Sequence, residues 1–170
     1  MFEPAKPTDG RGAAVIAREP VGVVAAIAPW NAPLIILVNK VIPALLAGCS
    51  VVMKPAPEAP LEAYLIAEAA EAAGLPAGVL NLVTAHREAS ELLVRHPGVD
   101  KVSFTGSTVA GQRIASLCGE RIARCTLELG GKSAAVVCDD YDVAQTAKQL
   151  ASTIIISTMP SQKLISRGAL

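Results

Sequence analysis

The chain has 170 residues, 52% of them hydrophobic, and its 15 Lys and Arg are matched by 15 Asp and Glu. This suits one globular core and excludes a disordered chain, a basic field for nucleic acid and a polybasic membrane anchor. The length is comfortable for one domain and short for a two-domain cofactor enzyme.

The first stretch, 1–18, mixes Pro4, Pro7, Asp9 and Gly10 and lacks the apolar run of a signal peptide. It reads as an irregular lead-in, with a cytoplasmic, reducing location as the default. Val21–Asn39 carries no charge and approaches membrane-spanning length. Pro29, Asn31 and Pro33 interrupt it, so the expected order is strand, turn and helix.

From Val21 onward, short β-rich runs alternate with longer helical patterns, which predicts parallel strands joined by crossover helices. Strands are expected at Gly22–Ile27, Ser50–Lys54, Val79–Val83, Lys101–Thr105, Cys125–Leu129 and Ala134–Val137. Their mostly continuous apolar character suits a sheet covered on both faces. Helices are expected at Leu34–Leu46, Leu61–Ala73, Ala89–Arg95, Thr108–Cys118 and Val143–Ile156. In the second of these, Leu61, Leu65, Ala69 and Ala73 recur every fourth residue and are expected to face the sheet, with Glu62, Glu68 and Glu71 toward solvent. Gly74 is expected to stop that helix. After Ile156, Pro160 breaks the pattern and residues 157–170 restore neither periodicity. The expected organisation is a lead-in over 1–18, a dinucleotide-binding unit over 19–156 and a tail over 157–170.

Cys49, Cys118, Cys125 and Cys138 form no C-x-x-C pair and have no histidine at zinc-like spacing. They are expected to be reduced thiols, mostly in a core, with no metal site.

In an open parallel sheet, ligands bind at the carboxyl ends of the strands. Four polar residues fall there: Asn31 after the first strand, Lys54 at the end of the second, Ser107 after Phe104-Thr105-Gly106, and Glu128 before Gly130-Gly131. Gly106-Ser107-Thr108-Val109-Ala110-Gly111 is neither G-x-G-x-x-G nor a Walker A loop. It is a small-residue turn into a helix, whose free amides and dipole favour a phosphate, although plain Ser capping explains it equally. Singly, Lys54 reads as a surface lysine and Glu128 as a solvated carboxylate. Placed on one rim, the four argue for a nucleotide pocket.

At these residues the chain resembles the NAD(P)-dependent aldehyde dehydrogenase superfamily. The markers are Glu19-Pro20-Val21-Gly22-Val23-Val24 leading to Pro29-Trp30-Asn31, then Lys54-Pro55, Phe104-Thr105-Gly106-Ser107-Thr108 and Leu127-Glu128-Leu129-Gly130-Gly131-Lys132-Ser133. The resemblance runs from about Arg18 to about Ile156 and implies a Rossmann-like α/β fold, an open parallel sheet with helices on both faces, incomplete relative to the family. It implies that Asn31 supplies an oxyanion-hole amide and Glu128 a general base. Lys54 would hold the adenosine ribose, and Ser107 with Thr105 and Gly106 would meet the pyrophosphate. Ala28, Pro29 and Trp30 would line the cofactor cleft. The implied cofactor is NAD or NADP, the implied partner a small-molecule aldehyde, and the family's oligomer-forming strands are expected to be missing.

Three departures qualify the resemblance. Where NAD-preferring members often carry a glutamate after the ribose lysine, this chain has Pro57, with Glu58 one residue later. The loop Thr84–Ala89 has no glycine, and His86 and Arg87 sit where they could approach a 2′-phosphate or simply be solvated. The catalytic cysteine of the family would follow Glu128 in a Gly-Gln-x-Cys-like motif, but the chain reads Ser157-Thr158-Met159-Pro160-Ser161-Gln162-Lys163 and has no cysteine after Cys138. The expectation is a truncated aldehyde dehydrogenase, its cofactor contacts present and its thiol absent. The alternatives are a nucleotide-binding module and a non-functional remnant of a frameshifted gene.

Overall fold

A computed structural model of the protein describes residues 19–131 and 136–156. The lead-in expected over 1–18 and the tail expected over 157–170 lie outside the described residues.

The chain order is β1 (Val23–Ile27), α1 (Pro33–Leu46), β2 (Ser50–Lys54), α2 (Leu61–Ala72), β3 (Leu80–Leu82), α3 (Arg87–Arg95), β4 (Lys101–Gly106), α4 (Thr108–Glu120), β5 (Arg124–Leu129) and α5 (Val143–Ile156). The five strands form one parallel sheet in the order β3-β2-β1-β4-β5. The chain first steps outward from β1 to β3, then returns to add β4 and β5 on the other side. This reversal leaves a crevice at the carboxyl ends of β1 and β4, the usual ligand position in such sheets.

Alternation along β1 divides the core in two. Val24 and Ala26 pack with Val51, Met53, Leu37 and Val41 of α1 and Ala63 of α2. Ala25 and Ile27 pack on the opposite face with Val102, Phe104, Val94 of α3 and Ile114, Leu117 and Cys118 of α4. Helices therefore cover both faces, which explains the near-continuous apolar character of the central strands.

Local chemistry sets the element ends. Ala32 takes φ 53 at the N-cap of α1, and Pro33 follows where its missing N–H costs nothing. Gly22 has φ +110, and a Cβ there would collide with the Asp100 carboxylate. That close approach lets Asp100 Oδ2 accept the Val23 N–H at 2.7 Å, fixing the entrance to β1. Gly74 takes φ +76 and stops α2, its N–H donating to Glu71 O and that of Leu75 to Ala70 O. Asp142 opens α5 by accepting the Gln145 N–H on its side chain at 2.7 Å.

Several expectations need correction. The face of α2 that meets the sheet is Ala63, Ile66 and Ala67, while Leu61 and Leu65 are exposed. Small side chains let the helix approach closely, and a 3.6-residue period fits that row as well as the period-four row. α3 begins at Arg87 rather than Ala89, so His86 and Arg87 form a helix start. Of the expected strand Ala134–Val137, residues 134 and 135 lie outside the described residues, and Val136 and Val137 have no regular structure. Cys49 and Cys118 are buried as expected, but Cys125 and Cys138 are exposed. The uncharged stretch Val21–Asn39 is strand, turn and helix, and no helix of the described residues is long and apolar enough to cross a membrane.

Candidate functional site

A cleft of about 730 Å³ opens between α3 and α4 above the carboxyl ends of β1, β2 and β4. Its polar lining comes from Lys54, Glu58, His86, Arg87, Ser90, Glu91, Ser107 and Arg113, and its apolar walls from Ile27, Val94, Phe104, Val109, Ile114 and Leu117.

Lys54 ends β2 with its backbone carbonyl accepting the Ala28 N–H at 3.1 Å. Only 7% of it is exposed, and it is the one charged residue buried among those described. Burial pushes its ammonium below the ordinary lysine range, and the Glu58 carboxylate partly opposes that shift. A buried cation is costly unless something is gained by placing it there. Here it adds to the lining of a cleft large enough for a small ligand.

Ser107 is the N-cap of α4, its Oγ accepting the Ala110 N–H at 3.3 Å while its carbonyl accepts that of Gly111 at 2.9 Å. The amides of Thr108 and Val109 precede these and have no acceptor within the helix. They add the positive end of the helix dipole to the Lys54 charge. Capping and anion binding are compatible, because the Ser side chain satisfies one donor and leaves others open.

The cleft walls are tied together by charge. Arg113 Nη2 of α4 donates to Glu91 Oε1 of α3 at 2.6 Å and its Nε to Oε2 at 3.2 Å, while Arg95 Nε adds a 3.0 Å bond. These hydrogen bonds from Arg113 and Arg95 hold the Glu91 carboxyl down at about 2 and raise the Arg113 guanidinium. Arg95 also reaches Glu120 at 3.3 Å.

The other candidates occupy the same rim, with Asn31 and Glu128 toward the opposite face of the sheet. Asn31 is half-buried in the turn between β1 and α1. Glu128 is exposed in β5, in register with Thr105. Its neighbour Leu127 packs on the α4 side, so alternation turns Glu128 toward the α1 side. Lys40 of α1 reaches over this region, donating to Ser103 Oγ at 3.2 Å. Burial depresses the Lys40 ammonium most strongly, the Glu128 carboxylate counteracts it, and Lys101 adds to the depression. Ala28 is buried, Pro29 half-buried and Trp30 53% exposed. Thr105 and Gly106 are half-buried at the end of β4.

Lys54 and Ser107 thus line the cleft together. Ala28, Pro29, Trp30, Asn31, Thr105, Gly106 and Glu128 lie around its rim without lining it. Four residues were not anticipated. Lys40 carried a signal, as the single charge in an otherwise uncharged helix. Glu91 and Arg95 showed the i, i+4 spacing of a helical ion pair. Arg113 carried none, because its partner lies on another helix.

Among curated proteins, geranial dehydrogenase of Castellaniella defragrans is 48% identical over 155 residues, matching 91% of this chain and 32% of its own length. Phenylacetaldehyde dehydrogenase of Pseudomonas fluorescens is 52% identical over 152 residues, matching 89% of this chain and 30% of its own length. Among solved structures, a Mycobacterium tuberculosis aldehyde dehydrogenase complexed with NAD+ superimposes with a TM-score of 0.80 at 47% identity, covering 83% of this chain and 29% of that one. An aldehyde dehydrogenase from Bartonella henselae superimposes with a TM-score of 0.87 at 37% identity, covering 95% and 34% respectively. The chain spans about a third of the length of the curated relatives it matches. Residues 3–158 match the model of the aldehyde dehydrogenase family, and the chain belongs to that family.

Proposed function

We propose that these residues bind a nicotinamide dinucleotide, NAD or NADP, and form the cofactor-binding part of an enzyme oxidising an aldehyde to a carboxylic acid. The observation that carries this reading is the convergence of buried Lys54 with the Ser107-capped start of α4 in one cleft. The residues fit the group. Lys54 donates to ribose hydroxyls, the first amides of α4 meet a pyrophosphate, and Val94, Ile114 and Leu117 offer apolar surface to a flat base. A bound nicotinamide supplies a hydride acceptor. Ala28, Pro29 and Trp30, with Thr105 and Gly106, border the bound cofactor at the strand ends between the cleft and the α1 face. There the Asn31 amide donates to a developing oxyanion, and Glu128 accepts a proton from the attacking thiol or water.

The reaction class also needs a nucleophilic thiol. Cys49 directly precedes β2, Cys118 lies in the last turn of α4 and Cys125 is the second residue of β5, at the opposite end of the sheet from Lys54 and Glu128. Cys138 lies beyond the sheet in irregular chain. We therefore assign the 170-residue chain cofactor binding without aldehyde turnover.

Calorimetric titration with NAD and with NADP tests the first half of this assignment, and silence for both overturns it. Absorbance of reduced cofactor during incubation with aldehydes tests the second, and sustained production by the purified chain overturns it. Comparing the two titrations also ranks Glu58, which repels a 2′-phosphate, against His86 and Arg87, which attract one.

A second reading concerns folding. Leu34, Ile35, Val38, Ile42 and Leu46 form an exposed apolar stripe along α1. A stripe of this kind favours association. Sedimentation velocity separates a stable monomer from a chain that self-associates before it can bind nucleotide.

A further inference from the structure

The chain reverses sharply between α4 and β5. The Cys118 carbonyl accepts the N–H of Ala123 at 2.8 Å and that of Arg121 at 3.3 Å. Ile122 takes φ 55, a costly conformation for a β-branched residue. Arg121 fastens the turn to the rest of the molecule, its Nε donating to Val94 O at 3.2 Å and an Nη to Val99 O. This anchored turn sends β5 back along α4.

Cys125 is the second residue of β5, in register with Val102. It shares its side of the strand with Leu127, which packs into the α4 cluster. Cys125 therefore faces α4, the helix whose last turn carries Cys118. Access to the two sulfurs is unequal, since Cys118 is 1% exposed and Cys125 is open to solvent.

We infer that Cys118 and Cys125 form a redox-active pair, which small disulfides such as oxidised glutathione convert into an intramolecular disulfide. Cys125 is attacked first because it is reachable. Its thiolate adds to one glutathione sulfur and expels the other as glutathione thiolate, leaving a mixed disulfide on Cys125. The Cys118 thiolate then attacks Cys125 Sγ, forming the Cys118–Cys125 bond and expelling the second glutathione thiolate. The protein dithiol loses two electrons and two protons, and the glutathione disulfide becomes two thiols. Burial pushes the Cys118 thiol up, Cys125 adds to the rise and Arg121 opposes it. Raising the pH therefore quickens the second step.

The experiment uses the full chain carrying Cys138→Ser, which removes the other exposed thiol. It is treated with oxidised glutathione and followed by intact mass and non-reducing peptide mapping. The expected product has lost two hydrogens and carries a cross-link between the peptides of Cys118 and Cys125, reversed by dithiothreitol. Adding Cys118→Ser, or Cys118→Ala if the serine variant misfolds by circular dichroism, should trap one glutathionyl group on Cys125. Adding Cys125→Ser should leave Cys118 unmodified. A stable glutathionyl adduct on Cys125 with Cys118 intact overturns the inference, as does a Cys125 that does not react. These two outcomes are read on the chain carrying Cys138→Ser alone and do not depend on the folding of any Cys118 or Cys125 variant.

Discussion

Arg113 of α4 and Glu91 of α3 meet at 2.6 Å on the wall of the cleft, the shorter of two hydrogen bonds between the same side chains. The pair bridges the two helices across the cleft wall. Glu91 is held down at about 2 against an ordinary value of 4.5. A depressed carboxylate contributes stability that is fully present above its unfolded value and is lost as pH falls through its folded value. The thermal midpoint of the native chain should therefore fall between pH 4.5 and about 2 more steeply than that of Glu91→Gln. Scanning calorimetry across that window checks it, and parallel curves for the two proteins would remove Glu91 from any stabilising role.

Lys54 makes the opposite contribution. Its ammonium is depressed by burial, so folding disfavours the charged form. That cost is fully present below the folded value and is relieved as pH rises past the ordinary value of 10.5. Lys54→Met, which keeps the stem and removes the charge, should hold or raise the thermal midpoint at pH 7, with the advantage shrinking toward alkaline pH. In the same variant, nucleotide affinity should fall about tenfold or more, the size of a lost charge-assisted hydrogen bond. Tighter melting with weaker binding marks a residue retained for function. A variant both less stable and unchanged in affinity would refute the assignment.

The contrast between these residues shows what the sequence revealed and what it hid. Parallel strands buried on both faces leave continuous apolar runs, so β1, β2 and β4 were legible at nearly their observed bounds. Motifs at strand ends located Lys54, Ser107, Asn31 and Glu128 on one rim. The division of that rim into two faces was not legible, because it depends on the parity of each strand's alternation against its helices. Leu127 packing on the α4 side is what turns Glu128 away from the cleft. The α2 face was misread for a related reason, since both Leu61-Leu65 and Ala63-Ala67 satisfy a helical period. The sheet selected the smaller pair. Arg113 was invisible because its carboxylate lies 22 residues away on another helix.

Ser107 caps α4 and, on the proposed function, also binds nucleotide, and substitution can separate the two roles. Its Oγ caps α4 through the Ala110 N–H at 3.3 Å. Ser107→Ala should lose about 1 kcal/mol from that cap. On the proposed function it should also weaken nucleotide binding about threefold to tenfold, the range of one neutral hydrogen bond. Ser107→Thr keeps a capping oxygen and should restore most of the stability. Denaturant unfolding and calorimetric titration on the three proteins decide the case. Normal affinity in Ser107→Ala would confine the residue to capping.

Gly111 tests how β5 is held against α4. A Cβ on Gly111 would overlap Leu129 Cδ2 and stand 3.1 Å from its Cγ, too close without movement. Alanine gains helix propensity of about 0.5–1 kcal/mol over glycine, which opposes the steric cost. Leu129 is 38% exposed and can swing partly aside, but doing so gives up its packing on α4. Overpacking costs of about 1–3 kcal/mol then exceed the propensity gain, so Gly111→Ala should destabilise by about 1 kcal/mol. In a Leu129→Ala background the clash disappears and only the propensity gain remains, so the same substitution should become stabilising. Urea denaturation of the four proteins closes the double-mutant cycle, with a coupling of about 1–2 kcal/mol expected for residues in direct contact. Additive effects would mean that Leu129 does not seat on Gly111, leaving Leu127 as the β5 side chain packed on the α4 side.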